Sequence, residues 1–238
     1  MVLLGTIVNG AAIVVGTLVG TVSSRIPERM KTTIMQGLAL VVAVIGLQMA
    51  MKSEQFLIVI GSLVLGGMLG EYWNLEGKLN QLGKWIEMKT GAASEGSVAQ
   101  GFVTATLVYV VGAMAILGAL DSGLRNDHSI LFTKSLIDGF TAIMFTATLG
   151  YGVLFSAIPV MIYQGIIALF ASQINQFVPQ SLLDAFIAEV TSAGGIMILA
   201  IGLNLLGIIK IRVANFLPAL LIAAFLVTCV YLVQTNFL

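Results

Sequence analysis

The chain has 238 residues, 58 % of them hydrophobic and only 9 % charged, with a mean hydropathy of +1.04. Soluble domains are nearer half apolar and a quarter charged, so this composition excludes an ordinary soluble or disordered chain and points to lipid. Eleven basic and eleven acidic residues leave a formal net charge of zero, which implies no polyanionic partner such as nucleic acid. One cysteine, Cys229, and one histidine, His128, exclude a disulfide framework and a Cys/His metal cluster. No metal and no cofactor is expected.

One bilayer crossing takes about 20 apolar residues of helix. Residues 2–22 form the first such run and lack the basic start of a signal peptide, so the segment is expected to be retained. A polar turn follows over 23–31, with Arg25, Pro27, Glu28 and Arg29. The second span is predicted over 33–51 and the third over 56–73, which ends in Glu71, Tyr72 and Trp73, an interfacial anchor. Over 75–89 the apolar residues Leu75, Leu79, Leu82, Trp85, Ile86 and Met88 recur at helical spacing among charges. That is the pattern of an amphipathic helix at the membrane surface. Residues 90–100, rich in Gly, Ala and Ser, read as a linker.

The fourth span is predicted over 101–120, a polar loop over 121–128, and a long fifth span over 130–155. The sixth covers 159–173, a second surface segment 179–189, the seventh span 192–211 and the eighth 214–233. The fold class is therefore all-α, a polytopic bundle of about eight transmembrane helices. With eight spans and the N-terminus outside, Arg25, Arg29, Lys31, Lys78, Lys84, Lys89, Lys210 and Arg212 fall in cytoplasmic loops, against Lys52 and Arg125 outside. This positive-inside asymmetry puts both termini outside the cytoplasm.

The two halves echo each other. Ile7-Val8-Asn9-Gly10 resembles Leu136-Ile137-Asp138-Gly139, and Met35-Gln36-Gly37-Leu38 resembles Tyr163-Gln164-Gly165-Ile166, at nearly the same offset. Two parallel pseudo-repeats are expected: 1–120, carrying the amphipathic helix near 75–89, and 121–238, carrying the surface segment near 179–189. Transporters are commonly built from such repeats, with the site where the repeats meet.

Asp138 is the residue that lipid tolerates least, about 12 Å into the fifth span at 1.5 Å per residue. Lys134 lies one turn earlier on the same face, at the spacing of a helical ion pair. Two readings are open: a proton or cation site, or a lysine snorkelling to the surface beside a neutralised packing partner. Asn9 holds the equivalent place in the first repeat. Asn-Gly and Asp-Gly suggest either local helix breaks that free backbone groups for a ligand, or close helix contacts. Gln36 and Gln164 could bond to each other across the repeats or line a polar path with Asn9 and Asp138. Gly16/Gly20 and Gly66/Gly70 are GxxxG pairs of a tight bundle.

Catalysis is not expected, and no catalytic residue is assigned. No span carries metal ligands, the sole histidine is in a loop, one acid alone sits well within a span, and no phosphate-binding G-x-x-x-x-G-K-[ST] loop occurs.

Four stretches carry a family resemblance: Gly112-Ala113-Met114-Ala115-Ile116-Leu117-Gly118, Lys134-Ser135-Leu136-Ile137-Asp138-Gly139-Phe140, Tyr163-Gln164-Gly165, and Arg212-Val213-Ala214-Asn215-Phe216-Leu217-Pro218-Ala219. With the Asn9-Gly10 segment, they resemble the YqgA/YdfK-like bacterial membrane proteins, domain-of-unknown-function family 554, over essentially the whole chain. The resemblance implies a multi-spanning protein of the bacterial inner membrane, often labelled a transport protein, with no established substrate.

The expected function is secondary transport of a small solute or ion, with Asp138 as the proton- or cation-responsive group and Lys134 its charge partner. Asn9, Gln36 and Gln164 would be the polar ligands. The alternative is a non-transporting membrane scaffold or regulatory subunit that docks a partner through Trp85 and Ile86. The partners expected are the bilayer, the solute, and a second copy of the chain in a homo-oligomer, for which no interface stands out.

Overall fold

The computed structural model describes residues 1–22, 28–90 and 97–237. Of the polar turn at 23–31 and the linker at 90–100, residues 28–31, 90 and 97–100 belong to helices; the rest, Arg25 included, lie outside the described residues. Every regular element among the described residues is helical: α1 (Leu4–Val22), α2 (Glu28–Ala50), α3 (Phe56–Trp73), α4 (Leu75–Thr90), α5 (Ser97–Val110), α6 (Ala113–Arg125), α7 (Ser129–Leu149), α8 (Ala157–Leu169), α9 (Ala171–Phe177), α10 (Gln180–Leu205) and α11 (Leu217–Phe237). Short 3₁₀ turns over Tyr151–Ser156 and Val213–Phe216 lead into α8 and α11.

Seven of these helices, two of them extended by the 3₁₀ turn in front, are long and apolar enough to cross a membrane. The pair α5–α6 makes an eighth if it counts as one span. That pair occupies the expected fourth span, but it is broken and bent by 60°. Gly112, at φ 144°, sits at the break, in a backbone region open to glycine and strained for other residues. A second glycine in that region, Gly150 at φ 82°, ends α7, so the expected fifth span stops there and 151–156 begins the sixth. The expected surface segment 179–189 and the seventh span run together as the single helix α10. Pro179 stands just before its first residue, where a missing N–H costs nothing. Between α3 and α4, Asn74 is left-handed at φ 48° and ends the first helix, and its Oδ1 accepts the Gly77 N–H of the second. At the start of α7, Asp127 accepts the amide and hydroxyl of Ser129, which hold its carboxyl below the usual carboxylate range.

The chain divides into two compact units, interleaved along the sequence: 1–38, 78–110 and 114–174 in the first, and 39–77, 111–113 and 175–238 in the second. In the first, α1 and α7 run parallel, Gly5 facing Leu131, Gly16 the carbonyl of Gly139, and Gly20 that of Ile143. No Cβ would fit at Gly16, so two backbones are in contact. The bent pair follows residues 151–171 from end to end, Val98 against Gly152 and Ala168 against Gly123. In the second unit, α3 packs antiparallel on the α11 end of the chain through Gly66 against Ala219 and Gly70 against Asn215. Both GxxxG pairs are thus true helix contacts. Large apolar side chains such as Leu57, Leu136, Phe140, Leu221 and Phe225 point outward, the arrangement of a bundle solvated by lipid.

Candidate functional site

Four of the five residues singled out in the sequence meet inside the first unit. Helix α7 turns Lys134 and Asp138 to its buried face, one turn apart, and Lys134 Nζ donates to both carboxylate oxygens at 2.9 and 2.8 Å. From α1, Asn9 Nδ2 donates to Asp138 Oδ2 at 3.1 Å, and it lies 3.3 Å from Oε1 of Gln164 on α8. Asn9 and Gln164 are wholly inaccessible, Asp138 is 3 % exposed and Lys134 7 %. The lysine therefore does not snorkel. It turns inward because the carboxylate is there to receive its charge.

The geometry separates the readings left open by the sequence. Gln36 is exposed on α2 and stands outside this group, and Gln164 bonds Asn9 and not Gln36. Asn9-Gly10 and Asp138-Gly139 do not break their helices, since α1 and α7 run through both. Gly10 and Gly139 instead make room for neighbours, Met161 and Ala12 respectively. The break that does occur, between α5 and α6, lies two residues after Tyr109. This fully buried side chain places its hydroxyl 3.5 Å from Thr141, one turn beyond Asp138.

The cluster is not saturated. Asn9 Oδ1, an acceptor, and Gln164 Nε2, a donor, are buried without a hydrogen-bond partner among the described residues. The hydroxyls of Thr6 and Thr17 on α1 and Thr146 on α7 are in the same condition. Buried polar atoms are nearly always paired, so these two helices carry a row of polar groups with capacity to spare. Threonine is too common in apolar helices for its sequence to signal this.

Sequence reasoning also missed a second buried carboxylate. Glu189 on α10, 1 % exposed, accepts the amides of Glu54 and Gln55 at 2.9 and 2.8 Å and the Ser53 hydroxyl at 2.6 Å. It closes the start of α3 from a neighbouring helix, where the unpaired N–H groups and the positive end of the helix dipole favour an anion. Ser122 Oγ lies 2.6 Å from His128 Nδ1. Ser122 is fully buried beside Gly5, so the pair ties α6 to the start of α7. Asn204 likewise bonds both backbone groups of Ile211 and fastens the loop after α10.

Apolar helices of spanning length, an outward apolar surface and a buried charge pair define a multi-pass membrane protein. The chain belongs to the family described as "Protein of unknown function (DUF554)", whose model matches residues 4–228. It is 33 % identical over 223 residues to "Uncharacterized membrane protein YdfK" of Bacillus subtilis (strain 168), covering 92 % of this chain and 93 % of that one. It is 30 % identical over 225 residues to "Uncharacterized protein YqgA" of Escherichia coli (strain K12), covering 92 % and 94 %. No solved structure matches the chain.

Proposed function

We propose that the protein is a secondary transporter, moving a small solute or ion across the bacterial inner membrane without covalent chemistry. The observation that carries this reading is the buried Lys134–Asp138 pair, set against Asn9 Oδ1 and Gln164 Nε2, which have no partners among the described residues. A charge pair enclosed in a span is costly and marks ion and substrate paths more often than it marks packing. In the closed arrangement the lysine neutralises the carboxylate. Opening to water on one side lets a proton or a cationic group replace Lys134 Nζ on Asp138, and reclosing carries it inward or outward. Asn9 and Gln164 supply the remaining acceptor and donor.

The reading includes eight spans in two parallel pseudo-repeats, with both termini outside the cytoplasm. Eight is favoured because α5–α6 accompanies the span over 151–169 along its whole length, as a crossing helix would and a re-entrant loop would not. Parallel packing of α1 and α7 agrees, since the first and fifth of eight spans run the same way.

The test is a thermal-shift screen of detergent-purified protein against ions, amino acids and organic acids, wild type beside Asp138→Asn, followed by uptake into proteoliposomes. A ligand that binds the folded state raises the melting temperature. Transport requires a shift, and saturable uptake of the same compound, both lost in Asp138→Asn while that variant stays folded. Uptake unaffected by Asp138→Asn removes the pair from the mechanism. No shift together with no uptake favours the scaffold role.

A further inference from the structure

The second unit carries a groove of 820 Å³ along the C-terminal half of α3, beneath the loop that joins α10 to α11. Its floor is apolar, formed by Val64, Gly67 and Met68 of α3 and the ring of Phe216. Its rim is cationic, with Lys210 and Arg212 exposed on the loop. Glu71, the acid at the rim, is already engaged by Arg212 and by Asn215 Nδ2; Lys210 makes no ion pair among the described residues, and Arg212 keeps further N–H donors.

The position fixes what this groove meets. Helix α3 is a span, and Tyr72 and Trp73 at its end are exposed aromatics of the kind that mark the headgroup level. From Tyr72 back to Leu63 the groove descends roughly 13 Å at 1.5 Å per residue, from that level into the hydrocarbon. Gly67 is what makes the depth available: a Cβ there would press on the Phe216 ring. A soluble solute would find mostly apolar walls open to lipid. A phospholipid finds a cationic rim at the height of its phosphate and an apolar trough at the height of its upper acyl chain.

We propose that this groove binds an anionic phospholipid, with the phosphate at Lys210 and Arg212 and one chain along Val64, Gly67 and Met68. Native mass spectrometry of the detergent-solubilised protein tests it, with phosphatidylglycerol and phosphatidylcholine added in parallel. The expected result is at least about tenfold stronger retention of phosphatidylglycerol. Lys210→Glu should bring it down to the phosphatidylcholine level, and Lys210→Arg should preserve it. Val64→Trp, which fills the trough without changing charge, should weaken both lipids. Equal retention of the two lipids, or retention unmoved by Lys210→Glu, overturns the proposal. So does displacement of the bound lipid by millimolar glycerol phosphate, which would assign the rim to a soluble phosphate. Lys210 is exposed and outside every helix, so its variants leave the fold intact, and the result is independent of whether Asp138 takes part in transport.

Discussion

The carboxylate of Asp138 receives Lys134 Nζ on both oxygens and Asn9 Nδ2 on one, in a place buried within the protein. Neither charge is stable there alone. Removing one partner of a buried pair strands the other and costs about 3–5 kcal/mol, whereas replacing both by apolar groups is often neutral. Asp138→Leu should therefore destabilise the protein by that amount, and the double variant Lys134→Met/Asp138→Leu should be markedly more stable than Asp138→Leu by itself. A double-mutant cycle from unfolding in detergent reads this coupling, and additive effects would mean that the pair is not linked. Glu189 makes a different use of burial, since its partners are neutral donors at a helix start. Glu189→Gln keeps an acceptor for the amides and should cost about 1–2 kcal/mol. Glu189→Ala leaves donors unpaired and should cost about 1–3 kcal/mol for each one stranded. The same unfolding measurement ranks the two variants.

At the scale of the element, helix contacts here depend on missing side chains. Between two lipid-solvated helices there is no hydrophobic force to draw them together, so close backbone approach supplies the attraction. Gly16 meets the Gly139 carbonyl with no space for a Cβ, while at Gly61 a Cβ would lie 3.5 Å from Leu226, an ordinary contact. Gly16→Ala should thus destabilise by about 1–3 kcal/mol through overpacking. Gly61→Ala should be neutral or slightly stabilising, because alanine is the better helix former. Melting temperatures of the two variants in one detergent decide it, and equal effects would remove the α1–α7 contact as their cause. The bend between α5 and α6 is the other element-level feature. It brings a helix end and Tyr109 beside the turn that follows Asp138, so the charged site and the irregular span are neighbours.

For the whole molecule, the packing directions constrain how often the chain crosses the bilayer. If α5–α6 crosses once, the count is even and both termini share a side. If it returns to the side it came from, seven crossings place them on opposite sides. Fusions of alkaline phosphatase and green fluorescent protein to each terminus should accordingly report the same compartment, which in the orientation proposed from the basic loops is outside the cytoplasm. Opposite reports from the two termini would make the pair re-entrant and leave α7 antiparallel to α1 in the membrane, contrary to their packing.

What a lipid-embedded chain reveals by sequence is one-dimensional. Each crossing demands a fixed length of apolar helix, so the all-helical class, the approximate number of spans and the isolated cost of Asp138 were legible directly, and the i, i+4 spacing made Lys134 its partner. The bounds of the fourth to seventh spans were not legible. Rotation about each helix axis was not legible. Gln36 and Gln164 sit in the same Gln-Gly setting, yet one faces outward and the other lies fully buried against Asn9. A helix that is apolar all round has no stripe to say which face turns inward, so only its neighbours decide. The same holds for the meeting of Asn9 with Asp138 and Gln164, for Glu189 closing a helix from across the second unit, and for the bend at Gly112. All of them rest on contacts between residues far apart in the chain or on one backbone angle, and no local pattern encodes those.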